Sequence, residues 1–158
     1  MIRKTIATDS DALMSIVESS GQFDTDGIAH VKSTLEQYFN GESQDIWLTA
    51  DDSEPVAVAY CAPEAVTDGT WNLLMLWTRK DREGQGHGSA LVEKVEHYLA
   101  ARGARLLIVE TSGLPAFETA RAFYSKCGFQ QEARIKNFFA AGDDKLVYTK
   151  AVASASAA

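Results

Sequence analysis

Three glycines at alternate positions, Gly84, Gly86 and Gly88, stand between an apolar run and the start of a helical period. No other stretch of the 158 residues constrains the fold as tightly. Before it, Thr70–Thr78 (TWNLLMLWT) is apolar on both faces, the pattern of a strand in the middle of a sheet. After it, Leu91, Val95, Tyr98 and Leu99 recur at helical spacing, and Gly103 supplies a stop. Alternating glycines let a backbone approach a ligand closely and turn several N–H groups the same way. The helix that follows opens with unpaired N–H groups at the positive end of its dipole. Strand, glycine turn and helix N-terminus therefore form an anion cradle that needs no basic side chain, with the Ser89 hydroxyl as a further donor.

The remaining segments surround this unit with short elements. Ile2–Thr8 reads as a strand, and Asp9 or Ser10 as the cap of a helix that buries Leu13, Ile16 and Val17. A second helix from about Thr25 carries Ile28, Val31, Leu35 and Tyr38 on one stripe, widened by Phe39. Ile46–Ala50 and Pro55–Ala62 alternate as strands separated by DDSE. Leu106–Glu110 reads as a buried strand ending in a carboxylate. Pro115–Cys127 reads as a helix with Phe117, Ala120, Tyr124 and Cys127 on one face and Gly128 as its stop. Phe129–Phe139 and Lys145–Val152 make a closing hairpin around AAGDD. The order β-α-α-β-β-β-α-β-α-β-β predicts an α/β (α+β) domain, a mixed central β-sheet flanked by helices. We expect one domain over residues 1–152 and a flexible tail at 153–158, AVASASAA closing the chain from Ala151.

With 22 acidic against 15 basic residues the net charge is −7, which argues against nucleic acid as a partner and suits a cationic one. Cys61 and Cys127 show no metal-ligand spacing, so no metal is expected. The longest apolar run, Leu73–Trp77, is too short to cross a bilayer, and MIRKTIAT at the N-terminus lacks the apolar core of a signal peptide. The expectation is a cytoplasmic protein with no membrane partner.

Three phosphate-binding designs compete for the loop. A P-loop needs a Lys after its last glycine, and none follows here. A dinucleotide fingerprint needs GxGxxG on the first strand, whereas this loop reads GxGxG after the fourth. The third is the pyrophosphate loop of the GNAT superfamily of acyl-CoA N-acyltransferases, [Q/R]xxGx[G/A], which Glu83-Gly84-Gln85-Gly86-His87-Gly88 resembles, with Glu83 where the family prefers Gln or Arg. A second segment agrees with it. Ala120, Phe123, Tyr124, Gly128 and Phe129, in ARAFYSKCGF, are similar to the family's A-x-x-[F/L]-Y-x-x-x-G-F.

The resemblance implies a GNAT-like fold and direct transfer of an acetyl group from acetyl-CoA to a primary amine of a small molecule or peptide. It places the coenzyme on Glu83, Gly84, Gln85, Gly86, His87, Gly88 and Ser89, with backbone groups of Leu76, Trp77 and Thr78 for the pantetheine amides. Glu118 stands where many members carry an Asn that holds the pantetheine arm. Tyr124 looks like the acid that protonates the departing thiolate. Asn72 falls where histone-type members have a catalytic Glu; an amide cannot take that proton but can position a water. Glu110 is the best carboxylate candidate for the base, and His87 reads as a loop packer. The acceptor would be gripped by Asp9–Asn40 and the Phe138–Asp144 hairpin region. Homodimers are common in that superfamily, and nothing in the sequence requires one. A non-catalytic acetyl-CoA-binding module or sensor of the same fold is the alternative reading.

Overall fold

The computed structural model describes residues 1–153; residues 154–158 of the expected tail lie outside the described residues. The elements are β1 (Ile2–Lys4), α1 (Ser10–Ser19), α2 (Thr25–Phe39), β2 (Ile46–Asp51), β3 (Pro55–Pro63), β4 (Thr70–Thr78), α3 (His87–Ala101), β5 (Leu106–Ser112), α4 (Glu118–Lys126), β6 (Gln130–Ala140) and β7 (Asp143–Ala151). The seven strands form a mixed sheet in the order β1-β2-β3-β4-β5-β7-β6. β4 and β5 run parallel, and their register covers Thr70–Asn72 against Leu106–Ile108. Among the described residues no helix is long and apolar enough to cross a membrane.

The chain packs as two compact units, one of Met1–Pro63 with Met75–Val95, the other of Glu64–Leu74 with the chain from Glu96 onward. In the first, α1 buries Leu13, Ile16 and Val17 and α2 buries Val31 and Leu35 in one cluster with Trp47, Val58 and Met75. This is the stripe that the helical period marked. Asp24 caps α2 by accepting from the Gly27 N–H at 2.7 Å. Asp9 behaves differently from the expected cap. Its carboxylate turns inward, accepting from the Arg3 guanidinium at 2.7 and 2.8 Å, the Ile6 N–H at 2.9 Å and the Thr49 hydroxyl at 3.2 Å. The bond to Ile6 winds the chain into a short 3-10 turn, Ala7–Asp9, so the first strand ends at Lys4 and not at Thr8.

In the second unit β5 pairs with β7 over seven positions. It runs two residues beyond the expected end, through Thr111 opposite Leu146 and Ser112 opposite Lys145. Glu110 therefore lies inside the strand, opposite Val147. The predicted 115–127 helix divides into a 3-10 turn, Pro115–Phe117, and α4. Arg121 ties α4 to the end of β5 by donating to the carbonyls of Ser112 and Leu114, both at 2.8 Å. Gly128 ends the helix at φ +93°, and the Phe129 N–H donates to the Tyr124 carbonyl at 3.0 Å. That conformation favours glycine, and a Cβ there would meet the Lys150 side chain at 3.2 Å. The closing hairpin turns at Ala141-Gly142, and β6 is exposed along its whole length at the sheet edge. Register breaks at Gln131/Ala133 and Ile135/Ala140, with Asn137 at φ +58°, roughen that edge.

Candidate active site

In the first unit the glycine loop is built as its sequence dictates. Gly84 and Gly86 take φ +74° and +87°, and a Cβ on either would meet nothing within 4 Å. The first helical bond of α3 runs from the Ala90 N–H to the Gly86 carbonyl at 3.1 Å. The N–H groups of His87, Gly88 and Ser89 thus precede any intrahelical partner, at the positive end of a fifteen-residue helix. Gly88 is the second residue of that helix and Gln85 and Ser89 are exposed, whereas His87 is half-buried with its Nε2 unpartnered among the described residues.

The two arginines beside the loop are bound to carboxylates. Arg82 pairs with Asp52 and donates from Nε to the Gln85 side chain at 3.0 Å. Arg79 bonds Asp81 at 2.6 Å and Glu54 at 3.1 Å. Glu83 is exposed, and its neighbour Arg82 is committed to Asp52. The β2–β3 turn, which in the sequence is only a separator, supplies Asp52 and Glu54 as struts. Their link to the loop spans about 30 residues and leaves no local sequence signal.

β4 leads into this loop. Trp77 packs edge-on to Phe23 at 6.1 Å, its indole N–H buried and unpartnered among the described residues. Leu76 and Thr78 are half-buried. Leu74 is 49% exposed between Leu73 at 3% and Met75 at 6%, an uncovered apolar residue in a buried strand. These features fit acetyl-CoA. Open space and aligned donors at the loop suit the phosphates of such a molecule.

In the second unit Tyr124 lies on α4, its ring 5.6 Å from Phe123, 5.8 Å from Phe129 and 6.3 Å from Tyr148. Burial, with Cys127 adding, pushes its phenol up to about 12. Glu110 Oε2 is bonded to Lys145 at 2.9 Å, and that ammonium also lies 4.2 Å from the Phe138 ring centre. Glu118, the first residue of α4, is exposed. Asn72, 4% exposed, donates from Nδ2 to Glu64 at 2.8 Å, and its Oδ1 is buried with no partner among the described residues. An orphan acceptor of that kind costs about 1–3 kcal/mol until something donates to it. Glu64 escaped the sequence reading because it sits in a turn that carries no motif.

A groove of about 510 Å³ separates α1 from α2 in the first unit. Met14 and Ile28 give it apolar surface, and Asp11, Glu18 and Glu36 outnumber Lys32 around it.

The family model described as Acetyltransferase (GNAT) family matches residues 12–129. The chain belongs to the GNAT acetyltransferase family. Members of the family are acyl-CoA-dependent N-acyltransferases, and their fold binds acetyl-CoA. A crystal structure from Desulfovibrio desulfuricans, assigned to the same family, is 29% identical, with a TM-score of 0.90 over 97% of this chain and 99% of that one. An aminoglycoside 6'-N-acetyltransferase complexed with coenzyme A has a TM-score of 0.79 at 16% identity, covering 97% of both chains. The ribosomal-protein-alanine N-acetyltransferase of Brucella melitensis has 0.77 at 20% identity, over 96% of this chain and 99% of that one. At such identities these two share the fold. No curated protein matches the sequence.

Proposed function

We propose that this GNAT enzyme moves an acetyl group from acetyl-CoA to a primary amine, cationic at neutral pH, on a small molecule or peptide. The observation that carries the coenzyme half is the α3 N-terminus, where the N–H groups of His87, Gly88 and Ser89 follow two glycines with open space above them. Backbone donors hold the phosphates, since Arg79 and Arg82 are bound to carboxylates. Leu76, Trp77 and Thr78 offer main-chain groups to the pantetheine amides, and Glu118 stands at the position where many family members carry an Asn for the same arm. Acetyl-CoA, when bound, supplies the acetyl group and a thiolate leaving group. A β4 backbone N–H stabilises the charge that builds on the carbonyl oxygen, and Tyr124 gives its phenolic proton to the sulfur. Asn72 positions the attacking side of the reaction. Glu110 receives the amine's proton through a water on Oε1, because Oε2 is held by Lys145.

The acidic balance of the chain and the three carboxylates around the α1–α2 groove support a cationic acceptor. Of the two structural neighbours, one is an aminoglycoside N-acetyltransferase and the other a ribosomal-protein-alanine N-acetyltransferase, so the shared fold serves both small and polypeptide acceptors. The test is release of free thiol from acetyl-CoA across a panel of polyamines, amino sugars and lysine- or alanine-ended peptides. Turnover with cationic members supports the reading; thiol release with neutral amines alone removes the charge argument, and none with any amine removes the activity.

A further inference from the structure

α1 turns Leu13, Ile16 and Val17 into the core, which leaves Asp11, Met14, Ser15 and Glu18 as one stripe along the groove it shares with α2. Asp11 and Glu18 close the two ends of that stripe. Seven residues separate them, about 10 Å along the helix axis, and the half-buried Met14 lies between. On the other wall α2 presents the half-buried Ile28, then Lys32 and, one turn further on, Glu36, whose charges cancel. The α1 wall is therefore the acidic one, with a carboxylate at each end. Neither Asp11 nor Glu18 makes an ion pair or a side-chain hydrogen bond among the described residues, whereas Asp9, Asp51, Asp52, Glu54 and Asp81 of the same unit each hold an arginine.

We propose that this groove is a binding site for a linear dication, two ammonium groups joined by an aliphatic chain. One ammonium sits at Asp11 and the other at Glu18, and the chain lies on Met14 and Ile28. Each exposed ion pair is weak alone. When the chain matches the span, the second pair forms at a high effective concentration, and methylene groups leave water against apolar side chains. A monoamine forfeits one of the two pairs, and a short diamine cannot reach both. Lys32 repels a cation from the α2 wall and so turns the ligand toward α1. The site concerns binding alone: no bond forms or breaks in it, and it stands apart from the transfer reaction.

Calorimetry on the full chain without coenzyme tests this, with diaminooctane, diaminobutane and octylamine as probes. Diaminooctane is expected to bind at least about tenfold more tightly than either of the others. Asp11→Asn and Glu18→Gln should each bring it to within about twofold of octylamine. Both residues are exposed, and each variant deletes one charge with little change of shape, so folding is preserved. Glu93→Gln removes an exposed carboxylate from α3 and should leave the affinity unchanged, which separates this groove from the general attraction of a chain of net charge −7. The Met14 methyl NMR signal, assigned by its loss in Met14→Leu, should shift on titration with diaminooctane. No binding, equal affinity for the three probes, a loss in Glu93→Gln equal to that in Glu18→Gln, or a Met14 signal that stays put overturns the proposal. None of these readouts needs turnover, so they judge the groove even if the protein acetylates no amine, an outcome that sinks the reading of the reaction instead.

Discussion

Burial pushes the Tyr124 phenol up to about 12, with Cys127 adding to the shift. On the proposed reading this phenol is the donor to the leaving sulfur, and it stays protonated well above neutral pH. Two expectations follow at this scale. Tyr124→Phe should lower kcat by about 10²–10⁴-fold with coenzyme affinity unchanged, read in single-turnover assays, and a loss below about threefold would leave Tyr124 as packing. Its ionisation should also produce no falling limb in the rate up to pH 10. The same shift acts on stability. The unfolded chain releases the tyrosine proton near pH 10 while the folded one keeps it, so stability is whole below that value and falls as pH rises toward 12. Tyr60, pushed up by burial and by its bond to Asp45, adds in the same direction. Denaturant midpoints measured between pH 9 and 11 should drop, and Tyr124→Phe should flatten part of the slope. For Glu110, Glu110→Gln should depress the rate plateau and flatten its acidic limb. A limb that keeps its shape and tracks the pKa of the supplied amine assigns the proton to solvent.

At the scale of elements the loop stands on backbone conformation and on distant struts. Gly86 at φ +87° has open space beside it, so Gly86→Val should fail through its left-handed backbone and, on the proposed reading, through a branched side chain in the path of the phosphates. Calorimetry should find acetyl-CoA bound at least about tenfold more weakly, roughly 1.4 kcal/mol, and equal affinity would move the site elsewhere. Asp52→Ala should weaken binding by a smaller factor, because it frees Arg82 without touching a phosphate donor. How much of this was legible depended on range. The β4 pattern, the glycine spacing and the α3 stripe are local, and the sequence reading matched β4 residue for residue. The end of β5 was not visible, since Thr111 and Ser112 are polar and became strand only by pairing with Leu146 and Lys145. Asp9 looked like a cap because its neighbours are helical, yet Arg3 and Thr49, from other strands, claimed its carboxylate. Asp52 reached the glycine loop through a partner 30 residues away, and Glu64 reached Asn72 across a connection that carries no motif.

Over the whole molecule, acid tolerance should depend on the N-terminal ion cluster. Burial raises the Asp9 carboxyl, but the Arg3 guanidinium, the Ile6 N–H and Thr49 outweigh it and hold the group below its usual value. A carboxyl depressed in the folded state contributes stability that is present at neutral pH and is lost as pH falls through its folded value, below about 3.9. Asp9→Ala should destabilise the protein by about 2 kcal/mol at neutral pH, less than a fully buried pair because Arg3 keeps 24% of its side-chain exposure. The variant should also lose part of the wild-type fall in stability between pH 5 and 3, measured by urea unfolding. The three tryptophans sit in three different settings: Trp47 stacked on Tyr60, Trp71 beneath the Arg102 guanidinium, and Trp77 against Phe23. Only Trp77 borders the glycine loop, two residues before Arg79, and its indole N–H has no partner among the described residues. A molecule laid against the last three residues of β4, Leu76–Thr78, would alter the polarity around that ring before that of Trp47 or Trp71. The native chain thus carries its own optical gauge, so that emission read without any dye would follow coenzyme docking during turnover, and Trp77→Phe would silence the signal while leaving the main-chain contacts to bind.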